Sequence, residues 1–236
     1  MRLVRARASV HSPKVVKPPW LPLRPVVGRV PLRLRIALVL AVISGLPFAG
    51  LGASSSGDPR TNVAAIAVED LSGGTVRPLA DAGQKATVLF FVMHECPVAN
   101  AYAPEIARIM TEYAAKGVRS HVVYVEADLT AGKARAHARD YGFKSGTLRD
   151  PGHLLSRAAG ATISPEAAVF SPKGEVLYLG RIDDRVSDFG RRRVEPTRRD
   201  LRLTLDAVLA GQPVPARHTK AIGCYIPEDH SSKAEH

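Results

Sequence analysis

Between Asn62 and Gly211, unbroken apolar runs of strand length alternate with stretches whose apolar residues recur three and four apart. The strongest run is Ala86–Met93, whose continuous apolar character predicts a strand buried on both faces. Ser120–Val125 reads the same way. Shorter strands are predicted at Val63–Val68 and Thr75–Leu79 around the turn Ser72-Gly73-Gly74, and at Thr147–Arg149. Glu166–Phe170 and Glu175–Gly180 form a further pair joined by the hairpin connection Ser171–Gly174.

Helices fill the intervals. Tyr102, Ile106, Ile109, Met110 and Tyr113 share one face of a helix that starts after Cys96, runs to about Lys116 and stops at Gly117. Pro104 lies inside it and is expected to kink or divide it. Thr130 caps a second helix through Tyr141, closed by Gly142. Asp150-Pro151 reads as a cap and first-turn proline opening a third, which ends at Gly160. Thr197 with Asp200 resembles a capping box before a fourth, which carries Leu201, Leu205, Val208 and Leu209 and stops at Gly211. Helices placed between strands predict an α/β fold, a central mixed sheet with helices on both faces.

Charge divides the chain. Nine of the 33 basic residues and none of the 22 acidic ones lie in residues 1–53, which leaves 24 against 22 in the rest. The formal charge of +11 therefore belongs to the leader, and the nearly neutral body argues against a nucleic-acid partner. Arg24, Arg29, Arg33 and Arg35 precede an apolar run from Ile36 to Leu51, and small residues follow. Basic, apolar, then small is the order of a secretory signal, and an uncleaved membrane anchor is the alternative. Residues 1–23 are basic and Pro-rich without period, which suggests translation starting downstream near Val26 or Val30. The expected organisation is a leader at 1–57, a folded domain at 58–211 and an irregular tail at 212–236 that carries Cys224. The expected location is outside the cytoplasm, in the periplasm or on the outer face of the cytoplasmic membrane.

The chain has two cysteines, Cys96 and Cys224, and no Cys-x-x-Cys pair for zinc or haem attachment. Cys96 follows the strongest strand and precedes Pro97, which suits the first position of a helix. Unpaired N–H groups and the positive end of the helix dipole stabilise a thiolate there, and cysteines so placed can titrate well below about 8.5. The competing reading is a buried free thiol, since free cysteine is among the most buried residue types. Cys224 is a partner for Cys96 or a separate tail thiol; thirteen residues separate it from Gly211, enough to span about 40 Å when extended.

Taken together, these features resemble the thioredoxin fold, in the redoxin branch that contains alkyl hydroperoxide reductases and thiol-specific antioxidant proteins. The likeness rests on Phe90–Cys96, on Pro104 eight residues after the cysteine, on Thr162-Ile163-Ser164-Pro165 at the family's cis-proline, and on the hairpin with Phe170 and Gly174-Glu175-Val176. It covers about residues 62–211. A narrower resemblance is to exported bacterial redoxin proteins with Cys-Pro-x-x-Asn, here Cys96–Asn100, with Gly180–Arg185 and with Gly223-Cys224-Tyr225-Ile226. The chain departs from thioredoxins in having Ala99 at the second cysteine position, and from peroxiredoxins in having Met93 three residues before the cysteine.

The resemblance implies a thiol oxidoreductase acting on disulfides or peroxides. Cys96 would attack, Cys224 or an external thiol would resolve, Pro165 would lie beside Cys96, and Ser164 would offer its backbone to a substrate strand. Asn100 and the helix-start amides would orient the thiolate. Its partners would be thiol or disulfide proteins or small peroxides and an external thiol donor, with no cofactor and no metal. The alternative is a non-catalytic copper-binding or assembly protein using Cys96 and His94 on the same scaffold. Arg149 or Arg181 could approach Cys96 in space. Arg181, Asp183, Asp184 and Arg185 read as a solvated charge cluster, and Tyr102 as core.

Overall fold

The computed structural model describes residues 62–81 and 83–227. The expectations for the leader fall outside these residues. Among them no helix is long and apolar enough to cross a membrane.

Four helices and eleven strands are present among the described residues. The strands are β1 (Val68–Asp70), β2 (Thr75–Val76), β3 (Ala86–Val92), β4 (Val118–Tyr124), β5 (Thr147–Arg149), β6 (Ile163–Ser164), β7 (Glu166–Phe170), β8 (Val176–Gly180), β9 (Val186–Asp188), β10 (Arg191–Arg192) and β11 (Cys224–Tyr225). The helices are α1 (Pro97–Ala114), α2 (Ala131–Asp140), α3 (Leu154–Ala159) and α4 (Asp200–Leu209). Seven strands form one sheet in the order β2-β1-β5-β4-β3-β7-β8. β3 and β4 run parallel, as do β4 and β5, while β7 returns antiparallel to β3. This is the mixed sheet of a thioredoxin-like α/β fold.

The apolar runs explain the layers. All seven residues of β3 are buried. Val88, Phe90 and Val92 join a core with Ile106 and Ile109 of α1 and Leu201 and Leu205 of α4. Leu89 and Phe91 join the other core, with Val123 and with Leu155 of α3. Alternation along one strand therefore supplies both faces, as the sheet pleat requires.

Several elements differ from their sequence reading. Val63–Ala65 is a turn of 3-10 helix, and only Val68 of the predicted first strand lies in a strand. Pro104 sits inside α1 without dividing it. The third helix begins at Leu154, not at Pro151, although Asp150 still caps it: its carboxylate accepts from the N–H groups of Leu154, Leu155 and Ser156. Thr197 does not cap α4, because its N–H and hydroxyl both donate to the Asp184 carboxylate. The acids of the cluster read as solvated are buried, while its arginines are half-buried: Asp183 is 2% exposed and receives the Tyr102 hydroxyl at 2.6 Å, and Asp184 is 8% exposed. The charges balance within the cluster, so its composition does not reveal that chain folding sequesters the acids.

The tail is less irregular than its composition suggests. Residues 217–219 run along β8: Leu179 N–H donates to Arg217 O and Thr219 N–H donates to Leu179 O. Gly180 permits this approach, since a Cβ there would lie 2.4 Å from Thr219 O.

His121 in β4 is buried, and neither ring nitrogen has a partner among the described residues. Burial pushes its pKa down to about 4, with Arg119 adding and Asp70 opposing. An unfolded chain holds histidine near 6.5. Between these values only the unfolded chain takes the proton, so stability falls as pH drops from about 6.5 towards 4. Between pH 7 and 4.5 the wild type is expected to lose on the order of 2 kcal/mol more than His121→Leu, measured by urea unfolding of both. Equal losses would show that His121 does not drive the acid sensitivity.

Candidate functional site

Cys96 ends the turn after β3 and serves as the N-cap of α1, with Pro97 at the first helical position. Its N–H donates to Met93 O at 3.1 Å. The sulfur accepts from Ala99 N–H at 3.5 Å and lies 3.1 Å from Ser164 O. The Ser164–Pro165 peptide is cis. Ser164 Oγ accepts from Met93 N–H at 2.8 Å, tying this loop to the turn that carries the cysteine. Glu166 holds the loop from the other side, accepting from Thr162 N–H and Ile163 N–H. Burial raises the Glu166 pKa, and those two backbone donors oppose the shift.

The chain's own tail completes the site. β11 pairs antiparallel with β6, Cys224 opposite Ser164 and Tyr225 opposite Ile163, and Ile226 N–H extends the ladder to Thr162 O at 2.9 Å. Both cysteines are free, and their sulfurs stand 2.7 Å apart, the Cys224 thiol donating to Cys96. Burial, that hydrogen bond and the Cys96 charge push the Cys224 thiol up to about 11. Cys224 thus keeps its proton at neutral pH and directs it at the Cys96 sulfur. Cys96 is only 1% exposed, with β11 over it.

The structure brings Cys96, Cys224 and Pro165 together; Asn100 plays a different part. Its amide Nδ2 donates to His94 O at 2.9 Å and its Oδ1 contacts His137 Nε2 at 2.9 Å, so it braces the turn and does not touch sulfur. His137 Nδ1 in turn contacts the Tyr124 hydroxyl at 2.8 Å. His94 is held by Glu126, whose Oε1 contacts both its N–H and its Nδ1 at 2.6 Å. Among the described residues no group of three or more His, Cys, Asp or Glu is arranged to hold a metal. Arg149 pairs with Glu69 and Arg181 with Asp200, so both arginines are engaged elsewhere.

Sequence reading missed Glu126 and His137, and named Gly223 only as part of a motif, without a role. Glu126 had a usable signal: it is the acid directly after a buried parallel strand, and ligands of open α/β sheets gather at the carboxyl ends of strands. Gly223 precedes the tail cysteine, and a Cβ there would lie 2.0 Å from Ser164 O. His137 left no pattern, because α2 is a polar surface helix whose one buried stripe is alanine.

A cysteine at a helix start, beside a cis-proline and on a mixed sheet, defines a thioredoxin-like thiol site. The sequence pattern of the AhpC/TSA family matches residues 59–179, just over half the chain. The chain belongs to the AhpC/TSA family. A crystal structure of a hypothetical protein from Sinorhizobium meliloti 1021 is similar, with a TM-score of 0.62 at 23% identity over 70% of this chain and 92% of that one. An uncharacterized conserved protein from Geobacillus kaustophilus gives a TM-score of 0.61 at 26% identity, over 70% of this chain and 89% of that one. No curated protein matches the chain.

Proposed function

We propose that this protein is a thiol–disulfide oxidoreductase in which Cys96 attacks and Cys224 resolves. The observation that carries the reading is the 2.7 Å contact between two free sulfurs from residues far apart in sequence, one at a helix start and one on a docked strand. The Cys96 thiolate attacks one sulfur of a substrate disulfide, forms a mixed disulfide, and expels the other sulfur as a thiolate that takes up a proton. Cys224 then loses its proton and attacks the Cys96 sulfur. The product is a Cys96–Cys224 disulfide, and the second substrate thiol leaves. Two electrons pass to the substrate, and an external thiol donor returns them.

A peroxide could oxidise Cys96 instead, giving a sulfenic acid that Cys224 condenses to the same disulfide with loss of water. Met93 at the position three residues before the cysteine offers no hydroxyl for a peroxide, which favours the disulfide substrate. The order of basic, apolar and small residues in 1–57 supports export, where such chemistry meets disulfide-bearing partners.

The test is turnover of a small disulfide and of hydrogen peroxide by the full chain with a thiol donor. Disulfide reduction, lost in Cys96→Ser, together with a Cys96–Cys224 crosslink mapped after alkylation, is expected. Two free thiols after exposure to oxidant, or unchanged turnover in Cys96→Ser, would remove the mechanism.

A further inference from the structure

β11 occupies the edge of β6 beside Pro165, and behind it Cys96 is sealed. An external disulfide reaches Cys96 only when this two-residue strand leaves. The tail therefore shows what a replacement must look like. The residue before the cysteine must be glycine, because a Cβ at Gly223 would fall 2.0 Å from Ser164 O. The second residue after it should be apolar, since Ile226 is 9% exposed and belongs to a core cluster.

The third residue after the cysteine, Pro227, lines a cavity of about 430 Å³ together with His94, Glu95, Glu126, Asp128 and Lys133. Glu126 is 8% exposed. One of its oxygens serves the N–H and ring of His94, while Oε2 has no partner among the described residues. A buried carboxylate oxygen without a donor is costly and asks for one. Proline cannot supply it. Lys133 lines the same cavity but forms no ion pair among the described residues, and Glu95 and Asp128 add charge of the same sign as Glu126.

We infer that the groove along β6 accepts, in place of β11, an extended polypeptide whose reactive cysteine is followed three residues later by arginine or lysine, the cation entering the cavity to meet Glu126. This rests on the disulfide-exchange reading and narrows its substrate to cysteine segments of the form Gly-Cys-x-apolar-basic. The tail matches all of this pattern except the cation, so a matching client gains a charge-assisted hydrogen bond that the tail leaves unmade.

The probes are the peptides GCYIRS, GCYIAS and GCYIES, each carrying its cysteine as a mixed disulfide with 2-nitro-5-thiobenzoate. They are presented to the full-length Cys224→Ser variant. The Cys96 thiolate attacks the peptide sulfur, and the coloured nitrothiobenzoate leaves as a thiolate. GCYIRS is expected to react about tenfold faster than GCYIAS, with GCYIES slowest. Adding Glu126→Gln should bring the three rates closer together, whereas adding Glu175→Gln, outside the cavity, should leave them unchanged. Equal rates for GCYIRS and GCYIES, or a preference undiminished by Glu126→Gln, would overturn the inference while leaving disulfide exchange intact. No release from any of the three would overturn both.

Discussion

With a disulfide substrate, the Cys224→Ser variant should stop at the mixed disulfide. The first step needs only Cys96, so one equivalent of substrate thiol should be released and the other half should remain on the protein, visible by intact mass. In the wild type Cys224 already touches Cys96 at 2.7 Å. A positioned intramolecular nucleophile acts at effective concentrations far above the millimolar range of an external thiol. Steady-state turnover should therefore fall by at least about 10²-fold. The pH dependence has a definite sign. In the reduced pair the Cys224 thiol sits near 11 because of burial, its bond to Cys96 and the charge on Cys96. Once Cys96 is in a mixed disulfide its charge is gone, and when β11 docks again burial is the main cause left. Resolution still requires the Cys224 proton to leave, so its rate should rise as pH rises from 7, and this rise should vanish in Cys224→Ser. Unimpaired turnover in that variant would assign resolution to an external thiol.

The scaffold was legible because each of its cues is local. A continuous apolar strand, a cysteine, Pro97 and a helical stripe suffice to locate Cys96 at a helix start, and the positive-φ glycines Gly117, Gly142 and Gly160 mark helix ends as expected. What stayed hidden depends on contacts between distant residues. The Cys96–Cys224 contact joins residues 128 positions apart, and a chain-length argument could only permit it. Asp183 and Asp184 looked like surface acids until Tyr102 and Thr197 were brought to them by folding. Asn100 belongs to the expected turn but braces it instead of contacting sulfur, because its side chain is drawn to His137, whose place on α2 no periodicity announces. Glu126 is the sharpest case, because a single acid after a strand has many ordinary explanations until its buried, unpartnered oxygen is seen.

Replacing Gly223 by alanine should expose Cys96 without unfolding the domain. The added Cβ would meet Ser164 O at 2.0 Å, Ser164 C at 2.8 Å and Pro165 Cδ at 3.2 Å. The first two are backbone atoms of a loop fixed by Met93 N–H and by Glu166, so the loop cannot yield cheaply. The strand that carries the alanine must move instead, which breaks the pairing of Cys224 with Ser164 and separates the sulfurs. Docking of so short a strand is worth a few kcal/mol at most, and each 1.4 kcal/mol lost multiplies the open population about tenfold. Alkylation of Cys96 by iodoacetamide should accelerate by about tenfold or more, read by mass spectrometry of the Cys96 peptide. The melting temperature should change little, since β11 lies outside the seven-stranded sheet and its segment reaches the two cores only through Cys224 and Ile226. The same variant should lose the rapid Cys96–Cys224 crosslink yet react faster with an external peptide disulfide. This opposite movement of internal and external exchange is specific to displacement of a covering strand: damage to Cys96 itself would slow both. An alkylation rate equal to that of the wild type would mean that something other than the tail shields the sulfur.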